Sequence, residues 1–271
     1  MQGAKLVEDS LGSVTRVLHH EEQVMGTIVT IDAYDDPATS AGPITPYLAL
    51  ALGSLHHSDE VFSTWKSESP MSRLRRGELD LAQAPDEVRE VLVACAKARE
   101  LSRGWFDPWA LPGGVDPTGY VKGWAAQRAL NHLRGSGVHG AIINAAGDIA
   151  AFGAPSLRAS FRCGIANPAL PSELLAVVAL DGCLATSGTY ERGQHLLNPR
   201  SGLFATRVDS ASVTGPDLGM ADALATALAV AGDDLLAGID EMAGYEAFTV
   251  SFDGQRRWTP KFPLISLAAR N

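Results

Sequence analysis

The sequence predicts an α+β fold in which mostly antiparallel sheets pack against helices. Apolar residues at helical spacing alternate along the chain with short segments rich in β-branched residues. Several predicted strands are joined by short turns, and the chain lacks the regular strand–helix–strand repeat of a doubly wound parallel sheet. We expect one domain over residues 1–271, built either as a unit or as two intertwined α/β subdomains.

The N-terminal half is predicted to be mostly helical after an initial strand. Alternation and β-branched residues predict the strand, apolar spacing predicts the helices, and a stretch rich in Gly, Pro and Trp predicts the loop. In order, the predictions are a strand over 24–34, a helix over 47–62, a short turn or helix over 70–77, a helix over 86–103, a loop over 105–119 and a helix over 120–134.

The C-terminal half is predicted to be richer in strands. Gly232 marks the end of its longest helix, and Asp253-Gly254 is a turn signal between two short strands. In order, the predictions are a buried strand over 139–143, a strand pair over 158–165 and 174–181, strands over 184–188 and 211–213, helices over 218–231 and from 235 to 238, and a hairpin of 247–252 with 257–258.

Charge and composition exclude some classes of function. The formal net charge is −9, and no Lys/Arg run or basic patch with interleaved aromatic residues is visible. Because nucleic-acid binding depends on neutralising phosphates, this composition argues against a nucleic-acid partner. A small anionic ligand is still compatible, since one metal ion and a few positive groups can bind it locally.

Cysteine usage and the N-terminus predict a cytoplasmic protein. Cys95, Cys163 and Cys183 are odd in number and far apart, which favours buried free thiols in a reducing compartment over disulfides. The N-terminal residues are charged and contain no apolar signal-peptide core or lipoprotein signal. No apolar stretch approaches the roughly 20 residues of a membrane span, so we expect no stable membrane insertion.

The loop GWFDPWALPGGVDPTGYVKG, residues 104–123, is a candidate ligand site. Its glycines allow the backbone to approach a ligand closely. Asp116 and Gly119 lie just before or at the start of the predicted helix, where free N–H groups can bind an anion. Lys122, on the first turn, is within reach of a phosphate. The alternative is an ordinary helix start with an acidic residue near its N-terminus.

Two further stretches are polar and surrounded by apolar strands. NAAGD, residues 144–148, is equally consistent with a ligand-binding backbone cradle and with a tight turn that has Gly147 at positive φ. The stretch 184–202 includes His195, a general-base candidate because the ordinary pKa of histidine lies near neutrality. The alternative for His195 is a solvated loop residue, and the other six histidines have no comparable polar neighbours in sequence.

The apolar segment GMADALATALAVA, residues 219–231, contains a candidate metal site. Asp222 and Thr226 are four positions apart and therefore share one face of the predicted helix. A carboxylate and a hydroxyl are oxygen ligands of the kind that Mg²⁺ or Ca²⁺ prefers, with phosphates and water completing the shell. The alternative is structural, with Asp222 offsetting the helix dipole and Thr226 bonded to a backbone carbonyl.

Taken together and in this order, the polar stretches resemble the ApbE family of FAD:protein FMN transferases. The resemblance runs from Met25 to about Gly232, roughly three quarters of the chain. Its pieces are MGT (25–27), FSTWKSESPMSRL (62–74), GWFDP (104–108), DPTGYVKG (116–123), NAAGD (144–148), TSGTYER (186–192), HLLNPRSG (195–202) and ADALATAL (221–228).

The resemblance implies a set of site residues. Met25 and Trp65 would flank the flavin nucleotide, with Trp65 standing where the family usually has Tyr. The FAD site would further contain Trp105, Phe106, Asp107, Asp116, Lys122, Ser187 and His195. The magnesium ligands would be the side chains of Asp222 and Thr226 and the backbone carbonyl of Gly119.

The resemblance also implies a reaction and its partners. FMN would be transferred from FAD to a Thr or Ser hydroxyl of a target flavoprotein, with release of AMP, and His195 or Asp107 would accept the hydroxyl proton. One alternative uses water as the acceptor and makes the protein an FAD pyrophosphatase. Two others are a non-catalytic FAD-binding protein and a structural protein that retains only the fold.

Overall fold

The computed structural model describes residues 4–6, 15–35, 43–156, 160–180, 182–188, 196–204 and 206–268. The helices are α1 (Thr45–Phe62), α2 (Pro70–Arg75), α3 (Asp86–Leu101), α4 (Thr118–Arg134), α5 (Leu218–Ala231) and α6 (Asp233–Asp240), with a 3₁₀ turn at Leu81–Gln83. The strands are β1 (Ala4–Leu6), β2 (Thr15–Val24), β3 (Thr27–Asp35), β4 (Gly140–Ala145), β5 (Asp148–Gly153), β6 (Phe161–Asn167), β7 (Leu170–Leu180), β8 (Cys183–Gly188), β9 (Leu197–Asn198), β10 (Leu203–Phe204), β11 (Ser210–Gly215), β12 (Glu246–Val250), β13 (Arg256–Trp258) and β14 (Leu264–Leu267).

A large antiparallel sheet forms the middle layer of the molecule. Within the described ranges it has eight strands in the order β13-β12-β11-β8-β5-β4-β3-β2. Every neighbouring pair in it is antiparallel. A smaller antiparallel sheet has the order β1-β6-β7-β14, and β9 pairs with β10. The prediction of an α+β fold with mostly antiparallel sheets is therefore confirmed.

Helices cover one face of the large sheet. α4 packs on β4 and β5, α5 packs on β8 and β11, and α1 packs on the outer side of α4. The centre of this sheet face is lined by small residues, which let the helices approach closely. They are Ala141, Ala145, Ala150, Ala185 and Ala211.

The small sheet covers the opposite face of the large sheet. Ile149, Leu184 and Phe248 point from the large sheet into this second core, where Phe161 and Val178 of the small sheet meet them. Successive side chains of a strand point to opposite faces, so a strand between two layers is buried on both sides. This is why β4, β8 and β11 are buried almost throughout, including small polar residues such as Thr186 of β8 and Ser212 of β11.

Two hairpins have turns with the same backbone geometry. Val24 pairs with Thr27, so Met25 and Gly26 form a two-residue turn between β2 and β3, and both have positive φ. This is the turn geometry that fits the twist of paired strands. The prediction of one strand over 24–34 is wrong here, because periodicity alone did not reveal that the chain reverses direction at Met25-Gly26.

The second such turn lies between β4 and β5. Ala145 pairs with Asp148, and Ala146 and Gly147 both have positive φ. The Asn144 side-chain oxygen accepts a hydrogen bond from the Gly147 backbone N–H at 2.8 Å. The tight-turn interpretation of NAAGD, with Gly147 at positive φ, is therefore confirmed.

Most other predicted elements are present with shifted ends. The helix over 218–231 has the predicted bounds as α5, and the hairpin around Gly254 is formed by β12 and β13. The sequence prediction missed β1, β2, β5, β9, β10 and β14. Cys95, Cys163 and Cys183 are buried and free, as predicted, and burial raises the thiol pKa of Cys95 and Cys163 to about 12. Within the described ranges, no helix is both long and apolar enough to cross a membrane.

Candidate functional site

The predicted metal-binding pair lies on α5, between the large sheet and α4. The helix begins at Asp217, whose carboxylate accepts a hydrogen bond from the Met220 backbone N–H at 2.6 Å and so caps the first turn. Asp222 is 3% exposed and Thr226 is partly buried, in a helix that is otherwise almost entirely apolar. Because Asp217 already caps the N-terminus of the helix, Asp222 is not needed for that structural role.

Close packing between α4 and α5 brings further predicted residues to this pair. A Cβ atom on Gly123 would lie 2.4 Å from the Leu218 carbonyl oxygen, so only glycine allows this approach. One turn earlier on α4, Gly119 faces Thr226, whose hydroxyl oxygen is 3.6 Å from the position of a Cβ on Gly119. Gly119 and Thr226 therefore lie next to each other, with Asp222 one turn before Thr226 on α5.

A buried cluster of two carboxylates and one ammonium group forms the centre of the site. Lys122 Nζ on α4 forms an ion pair with Asp148 Oδ2 and lies 4.0 Å from Asp222 Oδ2. The Asp148 side chain is fully buried, whereas the Lys122 side chain is about a quarter exposed at 24%. The lysine therefore connects the two buried acids to the surface of the site.

Asp222 has an altered proton affinity in this cluster. Burial raises its pKa well above the usual range, and the nearby negative charge of Asp148 raises it further. The positive charge of Lys122 and a backbone hydrogen bond from Gly123 oppose these effects only in part. Asp222 is therefore a carboxylate that a second cation would stabilise in its ionised form.

Two buried carboxylate oxygens lack hydrogen-bond partners in the described part of the chain. They are Asp148 Oδ1 and Asp222 Oδ2. Burying a polar atom without a hydrogen-bond partner costs free energy, so we expect a ligand to bind these two oxygens. The described residues contain no cluster of three or more His, Cys, Asp or Glu side chains suited to a metal. Any cation here would depend on hydroxyl, backbone or substrate oxygens besides Asp222.

One end of the large sheet carries several of the predicted residues. Val29 pairs with Ala145 and Ile149 with Leu184, which places the Met25-Gly26 turn, Asp148 and Ser187 at the same end. Ser187 Oγ is 3.2 Å from Thr226 Oγ1, so β8 and α5 are joined directly at the site. Ser187 therefore belongs to the same cluster as the predicted metal-binding pair.

Two predicted acidic residues have cation partners of their own. Asp116 accepts a hydrogen bond from Arg75 at 2.8 Å and one from the Thr118 backbone N–H at 3.0 Å, at the start of α4. Asp107 accepts from Arg99 Nε at 2.7 Å and from the Trp109 backbone N–H at 3.0 Å. Both carboxylates are thus held in defined orientations in the loop that leads into α4.

Two aromatic residues of this loop, Trp105 and Phe106, are buried. The Phe106 ring lies 3.3 Å from the position of a Cβ on Gly119, next to the cluster. The Trp105 ring is covered by the guanidinium of Arg200 at 3.6 Å and approached by that of Arg207 at 5.3 Å. Arg200 also donates a hydrogen bond to the Arg103 carbonyl oxygen at 3.2 Å. Trp105 thus supports arginine side chains.

Trp65 lies apart from the buried cluster. Its side chain is 95% exposed, in the short segment between α1 and α2. The backbone of this segment is held by Ser69, whose hydroxyl donates to the Ser63 carbonyl oxygen at 2.5 Å and caps α2. An exposed indole on an ordered segment is available for stacking against a planar ligand. His195 lies outside the described residues.

The family model for the ApbE family matches residues 25–113 and 109–249. The chain belongs to the ApbE family. An FAD:protein FMN transferase of Rhodobacter capsulatus is 32% identical over 157 aligned residues, and the match covers 54% of this chain and 30% of that protein. The matched segment thus spans less than a third of the length of that relative.

Solved ApbE structures share the fold. The flavin transferase ApbE of Vibrio cholerae has a TM-score of 0.79 at 17% identity, covering 90% of this chain and 97% of that one. The ApbE protein of Thermotoga maritima has a TM-score of 0.78 at 21% identity, with the same two coverages. The apo flavinyl transferase ApbE of Pseudomonas stutzeri has a TM-score of 0.75 at 21% identity, covering 93% and 97%. At these identities the likeness concerns the fold.

One member of the cluster was not selected from the sequence as a site residue. Asp148 is the last residue of the NAAGD stretch, and it is the ion-pair partner of Lys122. Its position directly after a turn and at the start of a buried strand was a usable signal. A carboxylate at the start of an otherwise apolar strand needs a cation partner, and the sequence did not show which residue would supply it.

Proposed function

We propose that the protein transfers FMN from FAD to a Thr or Ser hydroxyl of a target flavoprotein, releases AMP, and depends on Mg²⁺. Membership of the ApbE family supports this assignment. The observation that carries it is the buried Asp222–Thr226 pair beside Gly119, with a carboxylate oxygen of Asp222 that has no hydrogen-bond partner among the described residues. A purely structural helix residue would have that oxygen satisfied.

The residues present fit a magnesium ion. Asp222 and Thr226 would hold it through side-chain oxygens, and the Gly119 carbonyl would add a backbone oxygen. Mg²⁺ binds oxygen ligands and commonly uses one or two protein groups together with substrate phosphates and water. When bound, the ion supplies positive charge that offsets negative charge developing on the transferred phosphate.

The side chains of the chain itself bind and orient FAD. Lys122, partly exposed above the two buried acids, is placed to meet a pyrophosphate oxygen. The exposed indole of Trp65 stacks on the flavin, and Met25 lies at the same sheet end as the acidic cluster. Phe106 closes the site next to Gly119, and its apolar ring excludes water there.

Arginine pairs and aromatic contacts support the remaining proposed residues. Asp116, bonded to Arg75, fixes the loop before α4, and Ser187 holds Thr226 in place. Trp105 acts by holding Arg200 near the site.

The proposed reaction breaks the phosphoanhydride bond of FAD and forms a phosphoester bond to the acceptor. The acceptor hydroxyl oxygen forms a bond to the FMN-side phosphorus of FAD. The bond from that phosphorus to the bridging oxygen breaks, and AMP leaves with the bridging oxygen. The hydroxyl proton passes to Asp107, whose carboxylate is oriented by Arg99, or to His195.

The test is to incubate the purified protein with FAD and a Thr-containing acceptor peptide, with and without Mg²⁺. Products are separated by HPLC, and the mass of the peptide is measured by mass spectrometry. We expect AMP release that requires Mg²⁺ and matches an FMN-mass adduct on the peptide. A Thr→Val acceptor peptide is the control and should receive no adduct.

Two other outcomes would replace the proposal. Equal amounts of AMP and free FMN without an adduct on any Thr or Ser peptide would show an FAD pyrophosphatase. FAD that binds but stays intact in Mg²⁺ with every acceptor would show a binding protein.

A further inference from the structure

Asp148 is the one buried charge of the site that the proposed reaction leaves without a role. It lies at the first position of β5, directly after the Ala146-Gly147 turn, so the hairpin fixes where its carboxylate points. Its side chain is fully buried, and Oδ2 is paired with Lys122 Nζ. A buried carboxylate in such a defined position is rarely incidental, because burying a charge is costly.

The ammonium group of Lys122 is shared unequally between two carboxylates. It is in contact with Asp148 and 4.0 Å from Asp222 Oδ2, which has no hydrogen-bond partner in the described part of the chain. Asp222 is also the proposed metal ligand. Lys122 and a divalent cation therefore compete for the same carboxylate. The position of the lysine decides whether Asp222 pairs with the ammonium group or binds the cation.

We propose that Asp148 is a positioning residue that holds Lys122 away from Asp222 and so keeps Asp222 available to a divalent cation. The inference rests on the proposed function, since it takes Asp222 as a metal ligand. Without the Asp148 charge, Asp222 is a second described carboxylate within 4.0 Å of the Lys122 ammonium group. Closing a gap of 4.0 Å would then pair the two and block the cation.

This role differs from that of a direct metal ligand. If Asp148 acts only through Lys122, loss of its charge is harmful only while the lysine is charged. Removing both charges together leaves Asp222 without a competing ammonium group, and cation binding returns. A direct ligand, or a carboxylate needed only for folding, would not be rescued by a second substitution at Lys122.

The test measures Mn²⁺ binding to the purified full-length protein without FAD, by the EPR signal of free Mn²⁺. Four proteins are compared: wild type, Asp148→Asn, Lys122→Gln and the double variant. We expect Asp148→Asn to weaken Mn²⁺ binding by about 10- to 100-fold, the range found when groups that orient metal ligands are removed. Lys122→Gln should bind Mn²⁺ at least as tightly as wild type, and the double variant should return close to it.

Asp32→Asn is the matched control. Asp32 is another mostly buried aspartate of the large sheet, and its carboxylate has separate partners in His19 at 2.8 Å and Arg16 at 3.3 Å. The Asp32→Asn variant should bind Mn²⁺ with wild-type affinity. That result would show that loss of a buried sheet carboxylate does not by itself disturb the site.

Two results would overturn the inference. One is wild-type Mn²⁺ affinity in Asp148→Asn, and the other is a double variant that binds as weakly as Asp148→Asn. Asp222→Asn separates this from failure of the proposed function. If Asp222→Asn binds Mn²⁺ as wild type does, the metal assignment itself is wrong and the inference is overturned with it.

Discussion

The two faces of the large sheet are each covered by a second layer but differ in chemistry. The face under the helices includes Asp148 and leads to Lys122 and Asp222. The face under the small sheet is packed with Phe161, Phe248 and other apolar side chains. Strand β5 contributes to both faces, since Asp148 points to the helices and its neighbour Ile149 points to the small sheet.

The difference shows where this fold accepts charge. Sheet-on-sheet packing interdigitates side chains from two extended surfaces, so a charge there needs partners within the large sheet itself, as Asp32 on β3 has in Arg16 and His19. A helix layer has ends and grooves, and at one of them the partly exposed Lys122 connects buried acids with the surface. We therefore assign chemistry to the helix-covered face and stability to the sheet-covered face.

The largest effect is expected at Asp222, the carboxylate of α5 on the helix-covered face. Asp222→Asn keeps the size of the side chain but removes its charge, so transfer of FMN and binding of Mn²⁺ should both be lost. Circular dichroism should show an unchanged fold. Asp217→Asn is the control, since asparagine also caps helices well, and it should keep full activity. Full activity of Asp222→Asn at limiting Mg²⁺ would contradict the assignment.

The second effect belongs to the sheet-covered face. Phe248 is fully buried there and stacks near Phe262 and Trp258, with centroids 5.6 and 5.9 Å away. Phe248→Ala should lower the free energy of unfolding by about 3–5 kcal/mol, as for other large core deletions. Denaturant titration measures this change. Mn²⁺ affinity of the folded variant should not change, and a large loss of affinity would show that the two faces are not separate in function.

The third effect tests the hydroxyl of Thr226, the proposed uncharged metal ligand on the helix-covered face. Thr226→Val removes the hydroxyl but keeps the shape, and should lower the rate of FMN transfer by at least about 10- to 100-fold, because losing a group that only orients a metal ligand already costs that much. Thr226→Ser keeps a hydroxyl and should retain most of the activity. Equal rates for the Val and Ser variants would remove Thr226 from the site and leave only its contact with Ser187.

The smallest effect concerns a charge at the edge of the helix-covered face. Glu22 on β2 is bonded to His20 and to His56 of α1, each at 2.9 Å. The hydrogen bond from His20, followed by that from His56, lowers the pKa of Glu22. Glu22→Gln should cost below about 1 kcal/mol, as for other exposed ion pairs.

The pH dependence of that effect has a definite sign. A lowered folded-state pKa means that Glu22 stabilises the fold above its unfolded pKa of about 4.3 and loses this contribution as the pH falls through the lower folded value. The Tm values of wild type and Glu22→Gln should therefore differ near neutral pH and converge in acid below about pH 4. A difference that grows in acid would contradict this.

Helices were predicted better than strands for a physical reason. An amphipathic or apolar helix shows its period in local sequence, so the bounds of α5 were predicted correctly from residues 218–231. Strands buried on both faces lose the two-residue alternation that identifies them, and β5 was missed for this reason. The Met25-Gly26 turn was missed because the non-glycine residue Met25 adopts positive φ there.

The sequence by itself determined the residue types of the site and their local spacing. Asp222 and Thr226 share a helix face because they are four positions apart, and the motifs resemble the ApbE family wherever they lie in space. Only the tertiary structure decided that Asp148 pairs with Lys122 and that Trp105 is covered by Arg200. Those contacts join residues far apart in the chain, and no local sequence pattern encodes them.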